Sequence, residues 1–149
     1  MTQNFSNPIK LQVFHPILTT AYQLPEFSHH ISAGFPSMAD DFMEKKLDLN
    51  ELMVKHPAAT FFVRVEGNSM QNAGIYSGDI LVVDRSIEAS NGKIIVAVVN
   101  GEFTVKRLIV TPQGISLAPE NEAYPSYLIS EGSDFQVWVV VTYVIHRAQ

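Results

Sequence analysis

The sequence predicts a mainly β domain with a twisted, barrel-like sheet, short helices and an extended N-terminal arm. Three observations support this: short apolar runs alternate with polar residues after residue 60, turn residues separate these runs, and an Asn-Gly pair joins two of the most β-rich runs. Of the 149 residues, 46% are hydrophobic and 17% are charged, which is enough apolar material for one packed core. We therefore expect a globular chain rather than a disordered one.

The charge balance and the composition exclude several classes of protein. The net charge of −5 argues against direct DNA binding, because that needs clustered Lys and Arg. The chain has no cysteine, so disulfides, thiol catalysis and cysteine-rich zinc sites are excluded. Its longest apolar run, Ile94 to Val99, is far shorter than the roughly 20 residues that span a bilayer. We expect a cytoplasmic protein without a membrane segment.

Residues 1–33 form the predicted N-terminal arm. They contain one lysine, one acidic residue and three of the 8 prolines, with little helical or strand periodicity. Such a segment is mobile unless it docks on the domain or on another chain. The pair His29-His30 lies here without a cysteine or a spaced third ligand nearby, so we expect neither a metal site nor a cofactor.

Residues 38–56 show helical spacing in pieces. One helical face would carry the apolar side chains of Phe42, Met43 and Leu47. Asp48 and Glu51 match a capping box that opens a short helix through Val54, and Pro57 then ends this helix. The remaining apolar runs predict strands at Thr60 to Glu66, Ile80 to Val83, Ile115 to Leu117 and Val137 to Ile145.

The strongest local signal is a hairpin around Asn100-Gly101. Asn-Gly between two β-rich runs is the preferred two-residue type I′ turn, and a two-residue loop fixes the register of the strands. Ile95 should then pair with Lys106, and Ala97 with Thr104. Lys106 consequently shares a face with apolar side chains, which predicts that its ammonium group is desolvated.

Ser69 is the candidate nucleophile. It lies in the turn Gly67-Asn68-Ser69-Met70 directly after a predicted strand, where backbone N–H groups can face an oxyanion. Lys106 could act as its general base if burial lowered the lysine pKa by roughly 3 units, at a cost near 4 kcal/mol. On the residues alone two alternatives stay open: Ser69 can be an ordinary turn residue, and Lys106 can reach the sheet edge and stay charged.

Seven segments match one known family in collinear order, over about residues 30 to 146. They are Ala33-Gly34-Phe35-Pro36-Ser37, Asp48-Leu49-Asn50, His56-Pro57, Gly67-Asn68-Ser69-Met70, Gly78-Asp79, Val83-Asp84 and Gly101-Glu102-Phe103-Thr104-Val105-Lys106. Together they resemble the UmuD proteins, which are SOS mutagenesis proteins related to the self-cleaving domain of LexA and phage repressors. The resemblance implies a LexA/UmuD C-terminal-type β domain.

The resemblance also implies self-proteolysis. Ser69 would be the nucleophile, Lys106 the general base and Ala33-Gly34 the scissile bond, with the N–H groups of Asn68 and Ser69 as oxyanion donors. Cleavage would release the arm, residues 1–33, from a peptidase and dimerisation domain, residues 34–149. The small side chains at the scissile bond fit this interpretation, because they let an extended segment enter a cleft. Where this chain has Ala33, the best-known UmuD has cysteine.

Partners are a further implication of the resemblance. A RecA filament on single-stranded DNA would promote cleavage, and the processed homodimer would be the accessory subunit of an error-prone UmuC-type Y-family DNA polymerase. The full-length form would restrain that polymerase. Replicative polymerase subunits and the sliding clamp are additional candidate partners. The last strand, Val137 to His146, is a candidate dimer surface.

Three alternatives remain. A LexA-like repressor needs a helix-turn-helix domain before the cleavage site, which residues 1–33, with one lysine and no arginine, cannot supply. A signal-peptidase-like enzyme with a Ser-Lys dyad would be expected to carry a membrane anchor. A non-catalytic module would regulate a polymerase by binding alone. The presence of Ser69, Lys106 and Ala33-Gly34 together favours an active protein over this module.

Overall fold

Antiparallel strand pairing organises the chain in the computed structural model, which describes residues 12–18, 23–27, 33–34 and 43–149. In chain order the strands are β1 (Gln12–Phe14), β2 (Gln23–Phe27), β3 (Met43–Asp48), β4 (Thr60–Arg64), β5 (Ile80–Asp84), β6 (Ile94–Val99), β7 (Glu102–Thr111), β8 (Gly114–Ala118), β9 (Tyr127–Leu128) and β10 (Phe135–Ile145). One α-helix, α1 (Leu49–Met53), and two short 3-10 helices, Pro57–Ala59 and Gln71–Ala73, complete the described elements.

These elements belong to two compact units. The larger unit runs from His56 to Gln149 and includes β1, and the smaller unit lies between Ile17 and Lys55. The larger unit is an open, eight-stranded antiparallel sheet with the order β1-β4-β5-β10-β6-β7-β8-β9. This architecture confirms the prediction of a mainly β domain.

The β6–β7 hairpin has the predicted register. Ile95 lies opposite Lys106 and Ala97 lies opposite Thr104. Asn100-Gly101 forms the turn, with φ angles of 49° and 80°. Both angles lie in the left-handed region that a type I′ turn requires, which explains why Asn and Gly occupy these positions.

Two apolar clusters form the core of the larger unit. The first includes Val63, Val65, Met70, Leu81, Val83, Val96, Val105 and Val139. The second includes Ile95, Ala97, Val99, Leu108, Leu117 and Val140. Neighbouring residues on β6 and on β10 belong to different clusters, as expected for side chains that alternate between the two faces of a sheet. By this alternation Lys106 shares its face with the second cluster.

The last strand, β10, lies in the middle of the sheet between β5 and β6. Its register shifts twice, between Val137 and Val139 and between Val141 and Tyr143. Residues of β10 belong to both core clusters, Val139 to the first and Val140 to the second. This agrees with the prediction of a long apolar strand at this position. The suggestion that this strand forms a dimer surface stays a prediction.

The smaller unit contains β2, β3 and α1. The Oδ1 atom of Asp48 accepts a hydrogen bond from Asn50 N at 2.9 Å, so Asp48 caps α1 as predicted, and the helix ends one residue before Val54. The helical spacing assigned to Met43 and Leu47 is wrong, because residues 43–48 form β3. Three apolar residues in so short a stretch fit the period of a helix as well as that of a strand. Pairing with β2 decides for the strand, because it satisfies backbone polar groups of β3. Phe42, the third residue of that spacing, lies outside the described residues, as do His29 and His30.

Part of the predicted arm is paired with later strands. β1 is antiparallel to β4, with Val13 opposite Val63, and β2 is antiparallel to β3. The ring of His15 contacts the ring of Phe61 edge-on, with 4.9 Å between the ring centroids. The division into an arm, 1–33, and a domain, 34–149, stays a prediction. None of the helices in the described ranges has the length and hydropathy needed to cross a membrane.

Candidate active site

The fold brings Ser69 and Lys106 within hydrogen-bond distance. Ser69 lies in the turn after β4, Lys106 lies in the middle of β7, and the distance from Lys106 Nζ to Ser69 Oγ is 3.0 Å. A hydroxyl and an amine at this distance can exchange a proton directly. The pair therefore has the geometry of a nucleophile with its general base.

Lys106 has three hydrogen-bond partners. Its Nζ atom lies 2.7 Å from Thr104 Oγ1 and 3.0 Å from the Val105 carbonyl oxygen, in addition to Ser69 Oγ. An ammonium group can donate to all three. A neutral amine can donate to Thr104 and Val105 and accept from the Ser69 hydroxyl through its lone pair. The site thus satisfies both protonation states of the lysine, which a general base needs.

Burial makes the neutral form of Lys106 accessible. The residue is only 9% exposed, so the prediction of a desolvated lysine is confirmed and the alternative of a solvated lysine at the sheet edge does not hold. Burial lowers the pKa of Lys106 from 10.5 to about 8. At this pKa roughly one lysine in ten is neutral at pH 7. That fraction is about three hundred times larger than for a lysine with the ordinary pKa of 10.5.

Thr104 is a member of the candidate site that the sequence reasoning missed. The predicted register placed it on the same face as Lys106, but no role was given to it. In the structure Thr104 is 5% exposed, and its hydroxyl oxygen accepts a hydrogen bond from Lys106 Nζ. The i, i+2 spacing on one strand face was the signal that could have identified it.

The turn that carries Ser69 is fastened at both ends. On one side Gly67 N donates to Ser77 Oγ at 3.1 Å, and Ser77 N donates to Asn68 Oδ1 at 3.3 Å. On the other side Met70 is 2% exposed and belongs to the first core cluster. Gly67 has a φ of 103°, a left-handed value that favours glycine. Ser69 itself is half-buried. The residues before and after it in the turn are held by these hydrogen bonds and by core packing.

The candidate oxyanion donors lie in the same turn. The backbone N–H groups of Asn68 and Ser69 donate hydrogen bonds to none of the residues that the structure describes. Donors that stay free in the resting protein can receive an oxyanion without breaking an existing bond. Their assignment to this role stays a prediction.

The predicted scissile bond lies in the smaller unit. Ala33 and Gly34 are both exposed and form a bend. An exposed segment with small side chains can be bound in extended form by a protease. The assignment of Ala33-Gly34 as the scissile bond likewise stays a prediction.

Two His–Asp pairs flank β5, and sequence reasoning predicted neither. His56 Nδ1 lies 2.6 Å from Asp84 Oδ2, and His146 Nδ1 lies 2.6 Å from Asp79 Oδ1. Both aspartates are buried, whereas the histidine side chains are 55% and 42% exposed. Within the described ranges neither histidine hydrogen-bonds to a serine, so the geometry favours a Ser–Lys pair over a Ser-His-Asp triad.

Asp84 is held as a carboxylate. Burial disfavours its charged form, but hydrogen bonds from Ser86 and His56 outweigh burial and lower the pKa of Asp84. Its Oδ1 atom accepts from Ser86 N at 2.8 Å and from Ser86 Oγ at 2.6 Å. Asp84 therefore joins the end of β5 to the segment before β4. Ser86 is a local partner, two residues after Asp84, whereas His56 lies 28 residues away, so no local pattern could have predicted the contact with His56.

Comparison with known proteins places the chain in a family. Residues 25–142 match the Peptidase S24-like family. Protein MucA from Salmonella typhimurium is 46% identical over 123 residues, which cover 82% of this chain and 84% of MucA. Protein SamA from Salmonella typhimurium is 46% identical over 134 residues, 90% of this chain and 91% of SamA. The LexA repressor of Paracidovorax citrulli is 37% identical over 107 residues, 72% of this chain and 47% of the repressor.

These matches agree with the fold. The family match includes both Ser69 and Lys106, and MucA and SamA are similar over most of their own lengths. The resemblance to the UmuD proteins is confirmed. The chain belongs to the Peptidase S24-like family, the serine peptidases of the LexA and UmuD type.

Proposed function

We propose that this chain is an SOS mutagenesis protein that cuts itself between Ala33 and Gly34, with Ser69 as nucleophile and Lys106 as general base. The observation that supports this most is the 3.0 Å contact between Lys106 Nζ and Ser69 Oγ on a buried strand face. The lowered pKa of Lys106, about 8, supports it as well, because it makes the neutral, proton-accepting amine available near neutral pH. Membership in the Peptidase S24-like family supports the reaction class.

The proposed reaction proceeds in two stages. Neutral Lys106 takes the hydroxyl proton of Ser69 while Oγ bonds to the carbonyl carbon of Ala33, and the N–H groups of Asn68 and Ser69 stabilise the oxyanion. The bond from Ala33 to Gly34 then breaks, and protonated Lys106 returns its proton to the nitrogen of Gly34. In the second stage Lys106 takes a proton from water, the resulting hydroxide attacks the ester between Ala33 and Ser69, and Ser69 regains its proton.

The products suit regulation better than digestion. One product is the arm, residues 1–33, and the other, residues 34–149, keeps both Ser69 and Lys106. We propose that a RecA filament on single-stranded DNA stimulates the cut and that the processed homodimer serves a Y-family translesion polymerase of the UmuC type. Replicative polymerase subunits and the sliding clamp are further candidate partners. The net charge of −5 supports action through partners that hold the DNA rather than direct DNA binding. We propose that the protein acts in the cytoplasm.

A LexA-like repressor is the second candidate. The 37% identity to the Paracidovorax citrulli repressor favours it, but that match covers only 47% of the repressor. MucA and SamA match over 84% and 91% of their lengths, which favours a mutagenesis protein. A non-catalytic polymerase-binding module would share the fold, and the experiment below separates it from an active protein.

The test is intact-mass analysis of the purified chain over time at several pH values from 6 to 10, with and without RecA, single-stranded DNA and a nucleotide. We expect one new break, between Ala33 and Gly34. The rate should rise about tenfold per pH unit below pH 8 and level off above it, because deprotonation of Lys106 limits the reaction.

Ser69→Ala and Lys106→Ala serve as the inactive comparisons, and both should stay intact under every condition. An intact mass for the unaltered chain throughout would support the non-catalytic module instead. A break that persists in Ser69→Ala would remove the proposed nucleophile.

A further inference from the structure

A short loop after β8 holds the turn that carries Ser69. Glu120 N donates to the Ser69 carbonyl oxygen at 2.8 Å, and Asn72 N donates to the Glu120 carbonyl oxygen at 2.7 Å. The next residue, Asn121, donates from its side-chain Nδ2 to the Asn68 carbonyl oxygen at 2.8 Å. Two successive carbonyls of the nucleophile turn are therefore held by two successive residues of the loop.

The contact to Asn68 has a consequence for the peptide bond between Asn68 and Ser69. In a planar trans peptide the C=O and the following N–H point in opposite directions. Holding the Asn68 carbonyl toward Asn121 therefore directs the Ser69 N–H away from the loop. That N–H donates to none of the residues that the structure describes, so its direction is fixed while its hydrogen stays available.

We infer that Asn121 is a positioning residue for the cleavage reaction: its side-chain amide orients the Ser69 N–H as an oxyanion donor. The inference rests on the proposed function, because only acyl transfer at Ser69 needs such a donor. An oriented donor stabilises the developing oxyanion without reorganisation at the moment of reaction. Asn121 hydrogen-bonds to neither Ser69 Oγ nor Lys106 Nζ, so it would act through the Asn68–Ser69 peptide bond, whose carbonyl oxygen it holds at 2.8 Å together with a longer hydrogen bond of 3.2 Å from Gln71 N.

Asn121 is itself well fixed. Its Oδ1 atom accepts from Ala123 N at 3.0 Å, and its own carbonyl oxygen accepts from Tyr124 N at 3.1 Å. An Asx turn of this kind sets the side-chain amide in one orientation. The neighbouring Glu120 forms an ion pair with Arg107 of β7, the residue that follows Lys106. One loop thus joins the turn of the nucleophile to the strand of the base.

The test uses Asn121→Asp in the full-length chain. The aspartate keeps an oxygen that can accept from Ala123 N, but it replaces the Nδ2 donor with a second oxygen that repels the Asn68 carbonyl. We expect self-cleavage to slow by roughly 10- to 100-fold, less than the complete loss of an oxyanion donor would cost. Asn100→Asp is the matched control: it introduces the same change in the β6–β7 turn and should cleave at the unaltered rate.

Asn121→Ala separates orientation from effects on the base or on folding. It adds no charge, so the pH midpoint of its rate profile should stay near 8 while the rate falls at every pH. Thermal unfolding of both variants shows whether they fold, and if the aspartate variant does not, the alanine variant carries the comparison. An unaltered rate, or a rate loss explained by a shifted midpoint, would overturn the inference.

Labelling of Ser69 by a fluorophosphonate distinguishes failure of this inference from failure of the proposed function. This reagent reacts with an activated serine and needs an oxyanion donor, but it does not need Ala33 or Gly34. If the unaltered chain does not cut itself but is labelled faster than Asn121→Ala, the inference holds without the proposed cleavage. Equal labelling of the two proteins overturns the inference, and an unaltered chain that is neither cut nor labelled overturns both.

Discussion

Lys106 combines two demands that conflict at the scale of a single residue. As a base it must lose its charge near neutral pH, and burial on the face of the second core cluster makes this possible. As a buried cation it weakens the fold whenever it is protonated, because desolvation disfavours the charged form. Thr104 and Val105 reduce this conflict, since their oxygens accept hydrogen bonds from either form.

The destabilisation by Lys106 can be measured through its pH dependence. In the unfolded chain the lysine has an ordinary pKa of 10.5, and in the folded chain burial lowers the pKa to about 8. The unfolded state therefore binds more protons between these values, so stability rises with pH in this window. Lys106→Met lacks this rise. We expect the free energy of unfolding of the variant, minus that of the unaltered chain, to fall by about 2 kcal/mol from pH 7 to pH 9.5.

Urea unfolding at the two pH values measures this difference. Lys55→Met, at an exposed position, is the matched control for loss of a lysine. A difference that stays constant with pH in Lys106→Met would mean that the folded lysine titrates like an unfolded one. It would then be a poor base at neutral pH, and the proposed role of Lys106 would lose its support.

At the scale of elements, β5 is fastened at both ends by His–Asp pairs. Asp84 lies at its last residue and Asp79 directly before its first, and their histidine partners come from the segments before β4 and after β10. β4 and β10 are the two sheet neighbours of β5. The pairs therefore hold the strand that lies between them in register, beside the turn of the candidate nucleophile.

Asp84→Asn should weaken this arrangement in a pH-dependent way. We expect a loss of roughly 2 kcal/mol in the free energy of unfolding at pH 7, the usual magnitude for hydrogen bonds to a charged group. The pKa of Asp84 is lowered in the folded chain, so its stabilisation is present above the unfolded pKa and is lost as pH falls through the folded one. The deficit of the variant should consequently shrink between pH 5 and pH 3.

Chemical unfolding at pH 7, 5 and 3 tests this expectation. Asp134→Asn, at an exposed position, is the matched control and should unfold like the unaltered chain at all three values. A deficit in Asp84→Asn that is the same at pH 7 and pH 3 would show that the carboxylate charge has no part in fastening β5.

Sequence reasoning succeeded for elements that local pattern determines. The Asn100-Gly101 turn fixed the register of β6 and β7, and that register placed Lys106 on the buried face. It failed for β3, because residues 43–48 form a strand through their pairing with β2. The hydrophobic period of residues 43–48 gives no sign of that pairing. The distant partners were equally out of reach, namely His146 for Asp79, His56 for Asp84 and Asn121 for Asn68. They join segments that only the order of strands in the sheet brings together, and no local pattern in the sequence shows that order.

At the scale of the whole molecule, the proposed cleavage would act on strand pairing rather than on charge. Residues 1–33 contain one lysine and one acidic residue, so their removal leaves the net charge at −5. The same segment contains β1 and β2, which pair with β4 and β3. Cleavage and release of the arm would therefore change β4 from an inner strand into an edge strand. An unpaired edge is a surface on which another chain can add a strand.

Hydrogen exchange can detect this change. In the intact chain β4 is paired on both sides, by β1 at Val63 and its neighbours and by β5 along its whole length. We expect the peptide that spans 60–64 to exchange roughly tenfold faster in the processed form than in the uncut Ser69→Ala chain, after gel filtration has removed the arm. The peptide that spans 102–111 is the internal control, because β7 pairs with β6 and β8 in both forms. Equal exchange of 60–64 in the two forms would mean that β1 contributes no protection to β4, and the cut would then have to act through the smaller unit, where β2 leaves β3.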